Sequence, residues 1–213
     1  MLADSEFLDA ILFIAILIPS VILHEVAHGF VAHRLGDPTA RRAGRLTLNP
    51  IRHVDPVGSL LVPGMLALSG QNVFGWAKPV PVDPGHFENP TRGMALTALA
   101  GPATNLGLVL VVGALGPFRQ VGDSVAYTAA GTMPRLLFGL VVVNAALAVF
   151  NLLPIPPLDG SRLLPLVLND SGKRLYARAA PYGFFALLAL VLVFDEALGF
   201  LGVWIRRVVL LAI

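Results

Sequence analysis

The stretch SVILHEVAHGFVAH, Ser20 to His33, decides how the whole chain is read. It closes an almost unbroken apolar run from Ala10 to Leu23 and places one glutamate and three histidines on what reads as a single continuous helix. Within it, His24-Glu25-Val26-Ala27-His28 has the form H-E-x-x-H. Residues four apart on a helix lie about 40° apart around its axis, so the two imidazoles share one face and can share one zinc ion. Glu25, beside the first ligand, points toward the water rather than ligating. Zinc lowers the pKa of that water to roughly 7, within reach of a carboxylate base. A five-residue pattern also recurs by chance, and histidines near a membrane surface need no metal. Three ionisable groups inside an apolar helix, however, must pair, ligate or face water, which favours the metal.

The surrounding composition supplies that membrane context. Of 213 residues, 56% are hydrophobic and 13% are charged, about half the charged share of a soluble domain. Apolar runs at Ala10–Leu23, Met94–Phe118, Leu136–Leu153 and Ala179–Phe194 approach the ~20 residues needed to cross the hydrocarbon, so three or four crossings are expected. The net charge of +2 arises from arginines in short loops, without a basic stripe or interleaved aromatics, which excludes a nucleic-acid surface. With no cysteine in the chain, thiolate metal sites, disulfides and cysteine nucleophiles are excluded. The first ten residues carry Asp4, Glu6 and Asp9 and no Lys or Arg, so the first helix is expected to be retained rather than cleaved as a signal.

Helix one should run from about Phe7 to Leu35, with Gly36 and Pro38 as stop signals. The following loop, Arg34 to Arg52, holds five arginines against Asp37, and a second basic segment, Asp159 to Arg178, holds Arg162, Lys173, Arg174 and Arg178. Both predict the cytoplasmic side, with the N-terminus outside. Val57 to Leu68 is only 12 residues long and contains Pro63 and Gly64, too short for a crossing, and reads as re-entrant or as a short buried helix. Asn72 to Gly85 (NVFGWAKPVPVDPG) suits an irregular strand or hairpin, at most an edge strand given Pro79 and Pro81. About 17 residues join the next two crossings, too few for an inserted soluble domain. The C-terminal part, Ala179 to Ile213, reads either as one crossing plus an interfacial helix or as two short helices.

The expected fold is therefore an all-α polytopic membrane protein. Three transmembrane helices form its core, a re-entrant or short hairpin segment follows the first, and one or two helices close the chain. Residues 1–213 make one integral membrane domain, with a core at about 7–165 and C-terminal helices at about 179–213.

A zinc site needs a third ligand. The extended form H-E-x-x-H-x-x-G-x-x-H fails, because Val31 and Arg34 stand at the glycine and final histidine positions, and His33 lies on roughly the opposite helix face from His24. No glutamate occurs between Glu25 and Glu88. The strongest source is FNLLPIPPLDGSR, Phe150 to Arg162, where Pro154, Pro156 and Pro157 end the helix and present Asp159 before Gly160. An unwound backbone at membrane depth must be buried or line a wet cavity. The same prolines would also serve merely to end the helix, with Asp159 opening the loop. Loop charges decide between these readings, since they make this crossing run in the same direction as helix one, which brings Asp159 to the depth of His24 and His28.

HEVAHG, GPATN (Gly101 to Asn105) and FNLLPIPPLDG, in this order on three apolar segments, resemble the site-2 protease family of intramembrane zinc metalloproteases over about residues 10–165. The resemblance implies that His24, His28 and Asp159 ligate one Zn2+ and that Glu25 is the general base and then the proton donor. It also implies that Asn151, eight residues before Asp159, hydrogen-bonds near the scissile carbonyl or its oxyanion. Asn105 and Asn144 read as helix packing rather than catalysis. FGWAKPVPV resembles the family segment thought to receive an unwound substrate by strand addition, with plain packing as the equal alternative. Ser161 departs from the family pattern, where a second glycine often follows, and no PDZ or nucleotide-binding module fits in the chain.

The expected activity is thus an intramembrane endopeptidase that cleaves a transmembrane protein or peptide, in regulated intramembrane proteolysis, with the lipid bilayer as its environment. The zinc site is expected toward the cytoplasmic side, in a bacterial or archaeal cell membrane. A metal transporter or sensor would need polar groups through both leaflets, and the crossings lack them. An inactive membrane-protein-binding relative would be marked by loss of Glu25 or a ligand, and all are present.

Overall fold

In the computed structural model, three long apolar helices carry the architecture, and each forms for the reason its composition gives. Hydrocarbon offers no partner for backbone N–H and C=O groups, so apolar segments of this length satisfy them within a helix. The structure describes residues 2–68, 76–193 and 195–213. Helix α1 spans Leu2–Arg34 and is followed by the single turn α2, Thr39–Arg42. A π-helical turn at Pro56–Leu61 then leads into α3, Val62–Leu68. Helix α4 spans Pro90–Leu115, with the Asn89 side chain accepting from Arg92 N–H at 3.0 Å and Pro90 in its first turn, a standard helix start. Helix α5 spans Thr132–Asn151. After the turn α6 (Leu164–Val167) come α7 (Asp170–Ala179), α8 (Gly183–Val193) and α9 (Asp195–Ala212).

Among the described residues, Ile11–Arg34, Pro90–Leu115 and Thr132–Asn151 are long and apolar enough to cross a membrane. Their directions follow from side-chain partners. His28 meets Thr97 while His24, one turn earlier, meets Asn105, so α1 and α4 are antiparallel. Ser20 meets Asn144 and Ile16 lies against Gly139, so α1 and α5 run parallel. The segment between α1 and α4 therefore begins and ends at the same end of the bundle, as the short Val57–Leu68 piece requires.

Two expectations need correction. The chain is not purely helical, because strands β1 (Phe118–Val121) and β2 (Ser124–Tyr127) pair antiparallel, with Val121 opposite Ser124. Gly122 takes φ +58° at the first loop position while Asp123 keeps a negative φ, as a two-residue hairpin loop headed by glycine requires. No strand forms in the described part of Asn72–Gly85, because Pro79 and Pro81 lack the N–H groups a ladder uses; Asn72 to Gly75 lie outside the described residues. Of the two readings of the C-terminal part, two helices are present. Helix α9 packs on α4 and α5 through a core of Val109, Val141, Ala145, Val209 and Ala212. A Cβ at Gly113 would come within 2.5 Å of Ala212 O, so glycine sets the closeness of α4 and α9.

Asp37, fully buried just beyond α1, ties the loops to this frame. Its carboxylate accepts from Thr39 N–H at 2.9 Å and from Asp83 N–H at 2.8 Å, which fixes the end of the 76–83 segment. Burial alone would raise its pKa, but the hydrogen bonds from Thr39 and Asp83, with His86 nearby, hold it below the usual carboxylate range. A group with a lowered folded pKa stabilises the fold above its ordinary value and loses that contribution as pH falls through the folded one. Asp37→Ala orphans two backbone donors and is expected to cost about 2–4 kcal/mol in reversible unfolding in detergent. The parent should lose stability from the ordinary carboxylate range downward in pH, and the variant should lack that portion of the acid limb.

Candidate metal centre

Three elements bring their chemistry to one point. His24 and His28 project from one face of α1, and Asp159 arrives from the turn that follows α5, Asp159–Leu163. Asp159 Oδ2 lies 3.1 Å from His24 Nε2 and 3.2 Å from His28 Nε2. One ligand atom from each residue falls within 4.8 Å of the others, and this trio can hold one metal ion. All three are nearly buried, at 5%, 7% and 9% exposure.

The donor set fits zinc. His28 Nδ1 lies 2.7 Å from Thr97 O, and a backbone carbonyl only accepts, so this nitrogen carries a hydrogen. In the neutral ring Nε2 then keeps its lone pair toward the Asp159 oxygen, which suits a cation held between the two. Ligands at about 2.0–2.1 Å around a tetrahedral zinc stand about 3.3–3.4 Å apart, close to the separations found.

The sequence makes this approach feasible through small residues. Gly101 lets α4 pass directly beside the imidazoles, since a Cβ there would lie 2.5 Å from both His24 Nε2 and His28 Nε2. One residue later Pro102 cannot donate within the helix and interrupts its ladder in the turn that supplies Thr97 O. A Cβ at Gly160 would overlap the carbonyls of Leu152 and Leu153, so only glycine lets the Asp159 loop fold back on the end of α5. Ser161, at the position that departs from the family pattern, is buried and closes the same loop by donating to Leu158 O at 2.7 Å.

Glu25, next to His24 on α1, reaches the extended segment 76–83, where its Oε2 accepts from Val80 N–H at 2.9 Å. The segment is fastened at several points. Trp76 N–H donates to Gly58 O at 3.0 Å and Lys78 N–H to His53 O at 2.9 Å, and the buried Arg45 donates to Lys78 O at 2.5 Å. With three N–H groups committed inward and two prolines, five of the seven residues from Trp76 to Val82 have no N–H to offer an added strand. Plain packing, the second of the two sequence readings, accounts for these bonds.

Asn151 stands at the last residue of α5, half-buried, with Nδ2 donating to Leu147 O at 2.9 Å. No hydrogen bond among the described residues joins it to the three ligands. Residues that sequence reasoning assigned to packing do reach the site. Asn105 Oδ1 lies 2.5 Å from His24 Nδ1, and Asn105 in turn meets Asn144. Their signal in the sequence was only that each is an amide inside an apolar helix.

An H-E-x-x-H helix meeting an aspartate inside a bundle of membrane-length helices defines a membrane metalloprotease. Comparison with known proteins gives the family. The chain belongs to Peptidase family M50, whose model matches residues 116–194. A relative in Bacillus subtilis, "Putative zinc metalloprotease YwhC", is 37% identical over 189 residues, covering 88% of this chain and 82% of the relative. The similarly described Rip2 of Mycolicibacterium smegmatis is 37% identical over 190 residues, 88% of this chain and 68% of that protein. Rip2 of Mycobacterium tuberculosis strain H37Rv is 34% identical over 174 residues, 81% and 63% respectively. No solved structure gives a significant match. The protein is a zinc metalloprotease, and its three apolar helices make it an integral membrane protein.

Gly101→Ala tests the close approach of α4. Alanine gains up to about 1 kcal/mol of helix propensity over glycine, so the fold has no propensity reason to weaken. Its methyl group would occupy the space between the imidazoles, and zinc affinity, measured by chelator competition, is expected to fall by at least about tenfold.

Proposed function

We propose that the protein is an intramembrane endopeptidase of the site-2 type, which hydrolyses a peptide bond in or near a transmembrane segment of a membrane-protein substrate. The observation that carries this reading is the convergence of His24 Nε2, His28 Nε2 and Asp159 Oδ2 beside Glu25 within the bundle. These three residues would hold one zinc ion. Zinc bound there supplies a Lewis acid that polarises the scissile carbonyl and acidifies a water molecule.

Glu25 takes the water proton as the nucleophile adds to the carbonyl carbon, and returns a proton to the departing amine as the C–N bond breaks. The Val80 N–H on Oε2 holds the carboxylate in one rotamer and leaves its other oxygen for this transfer. Asn151 has a second amide hydrogen beyond the one given to Leu147 O, and that hydrogen serves the substrate carbonyl or its oxyanion. A helical substrate must unwind first, because its scissile amide is otherwise committed to the helix ladder.

The whole chain, 1–213, acts as one protease domain in regulated intramembrane proteolysis. The arginine-rich loop after α1 and the basic segment after Asp159 flank the end of the bundle nearest the site, which supports the cytoplasmic face of a bacterial or archaeal membrane for that end.

The test is cleavage of a panel of single-span reporter proteins by purified, zinc-quantified protein in liposomes. Glu25→Gln should retain one zinc per chain and lose cleavage by a factor of at least ~100, the size of a general-base contribution. A zinc chelator should stop the parent, and re-added zinc should restore it. Undiminished cleavage by Glu25→Gln would remove Glu25 from the base role.

A further inference from the structure

The polar side chains buried between α1, α4 and α5 form one directed chain that ends on His24. Asn105 and Asn144 are fully buried and Ser20 is 2% exposed, in helices that are otherwise apolar. An amide side chain presents an acceptor at one end and donors at the other, so the direction of such a chain must come from groups whose role is fixed. Two backbone carbonyls fix it.

Leu140 O lies 2.8 Å from one terminal atom of Asn144, and a carbonyl only accepts, so that atom is Nδ2. Ile16 O, 2.8 Å from Ser20 Oγ, takes the hydroxyl hydrogen, so Ser20 Oγ accepts the other Asn144 N–H at 2.9 Å. Asn144 consequently turns Oδ1 toward Asn105, whose facing atom must donate, and Asn105 Nδ2 does so at 2.6 Å. Asn105 is left with Oδ1 toward His24 Nδ1 at 2.5 Å. His24 must then carry a hydrogen on Nδ1, so that in its neutral form Nε2 is the lone-pair nitrogen and faces Asp159.

We propose that Asn105, oriented by Asn144, is a positioning residue that holds His24 in its Nδ1–H tautomer and aims the Nε2 lone pair at the zinc. The inference rests on the assignment of His24 as a ligand. Helix packing alone requires no polarity, whereas every member of this chain is oriented in the sense that leaves His24 Nε2 free. His28 obtains the same result from a backbone carbonyl, Thr97 O, so His24 is the ligand whose tautomer depends on side chains. The relay is neutral, so it orients the imidazole without placing a second anion in hydrocarbon beside Asp159.

The experiment measures zinc affinity by chelator competition, melting of the metal-free protein, and imidazole 15N shifts, on the full chain in lipid nanodiscs. His24→Ala comes first, and if it binds zinc as tightly as the parent, the ligand assignment itself is wrong. Given loss of zinc in that variant, Asn105→Leu is expected to weaken zinc binding about 10–100-fold, to melt earlier without metal because Asn144 Oδ1 and His24 Nδ1 lose their partner, and to mix the His24 tautomers while His28 is unmoved. Asn105→Asp keeps an acceptor oxygen toward Nδ1 but sets a second oxygen against Asn144 Oδ1. It should hold zinc within about threefold of the parent while melting earlier. Should the leucine variant fail to fold, Asn144→Leu, which frees Asn105 to turn over, is expected to give the same tautomer mixing with a smaller affinity loss. The proposal is overturned if Asn105→Leu keeps the parent affinity, if the Leu and Asp variants lose affinity equally, or if Asn144→Leu leaves the His24 shifts unchanged.

Discussion

Two buried imidazoles set 3.1 and 3.2 Å from one buried carboxylate oxygen are the constraint around which this bundle is arranged. An ion of carboxylate size costs several kcal/mol to bury even after the protein relaxes, and lone pairs set against it add repulsion. A bound cation offsets the burial cost and turns the facing lone pairs into ligands. The helices are therefore organised by the need to bring α1 and the turn after α5 to one point and to keep α4 from occupying it. Gly101 meets the last need, Gly160 the first, and the parallel course of α1 and α5 puts Asp159 at the depth of the histidines.

Around that centre the remaining polar groups divide by what they face. On the side of the bundle interior, neutral amides and a serine terminate on backbone carbonyls, while the buried Thr97 hydroxyl beside them has no hydrogen-bond partner among the described residues. On the loop side, Glu25, Arg45 and Asp37 grip one extended segment, Trp76 to Asp83, by its backbone. Proline at two of its positions removes N–H groups that would otherwise need partners; Glu25 and Asp37 accept from Val80 and Asp83, and the carbonyls of Gly58 and His53 accept from Trp76 and Lys78. Glu25 is thus held by the same segment that covers it, which links its rotamer to the placement of the loops.

The parts of this arrangement that were legible in the sequence are those governed by hydrocarbon and by metal chemistry. Apolar length locates α1, α4 and α5 because a crossing helix has few alternatives, and the spacing of His24 and His28 announces a shared ligand face. Asp159 was reachable only through topology, by asking which crossing runs parallel to α1. The β-hairpin was missed although Val121-Gly122-Asp123-Ser124 carries its turn, because four-residue strands give too short an alternation to stand out beside long apolar runs. The C-terminal alternatives stayed open because Asp195 and Glu196 interrupt the apolar run as readily at a break between two helices as at the end of one crossing. Asn105 and Asn144 were read as packing because identity and spacing do not reveal which way an amide points. Direction comes from Leu140 O and Ile16 O, and those exist only once the helices are assembled.

Depth explains why the site sits where α5 breaks. His24 and His28 precede the end of α1 by ten and six residues, which at 1.5 Å per residue is about 15 and 9 Å, no farther than the middle of a 30 Å hydrocarbon layer. Hydrolysis there needs an unwound backbone to carry Asp159, and such a backbone survives at that depth only under protein cover or beside water. Both conditions bear on Leu152 to Leu158. The return of Gly160 onto Leu152 and Leu153 and the close packing of Gly183, at the start of α8, on Pro156 cover two sides of the loop. The half-buried Asn151 and the 9% exposure of Asp159 mark where the cover is incomplete. The broken helix end thus serves two purposes at once, delivering the carboxylate to the histidines and keeping the unwound backbone that carries it largely under protein cover.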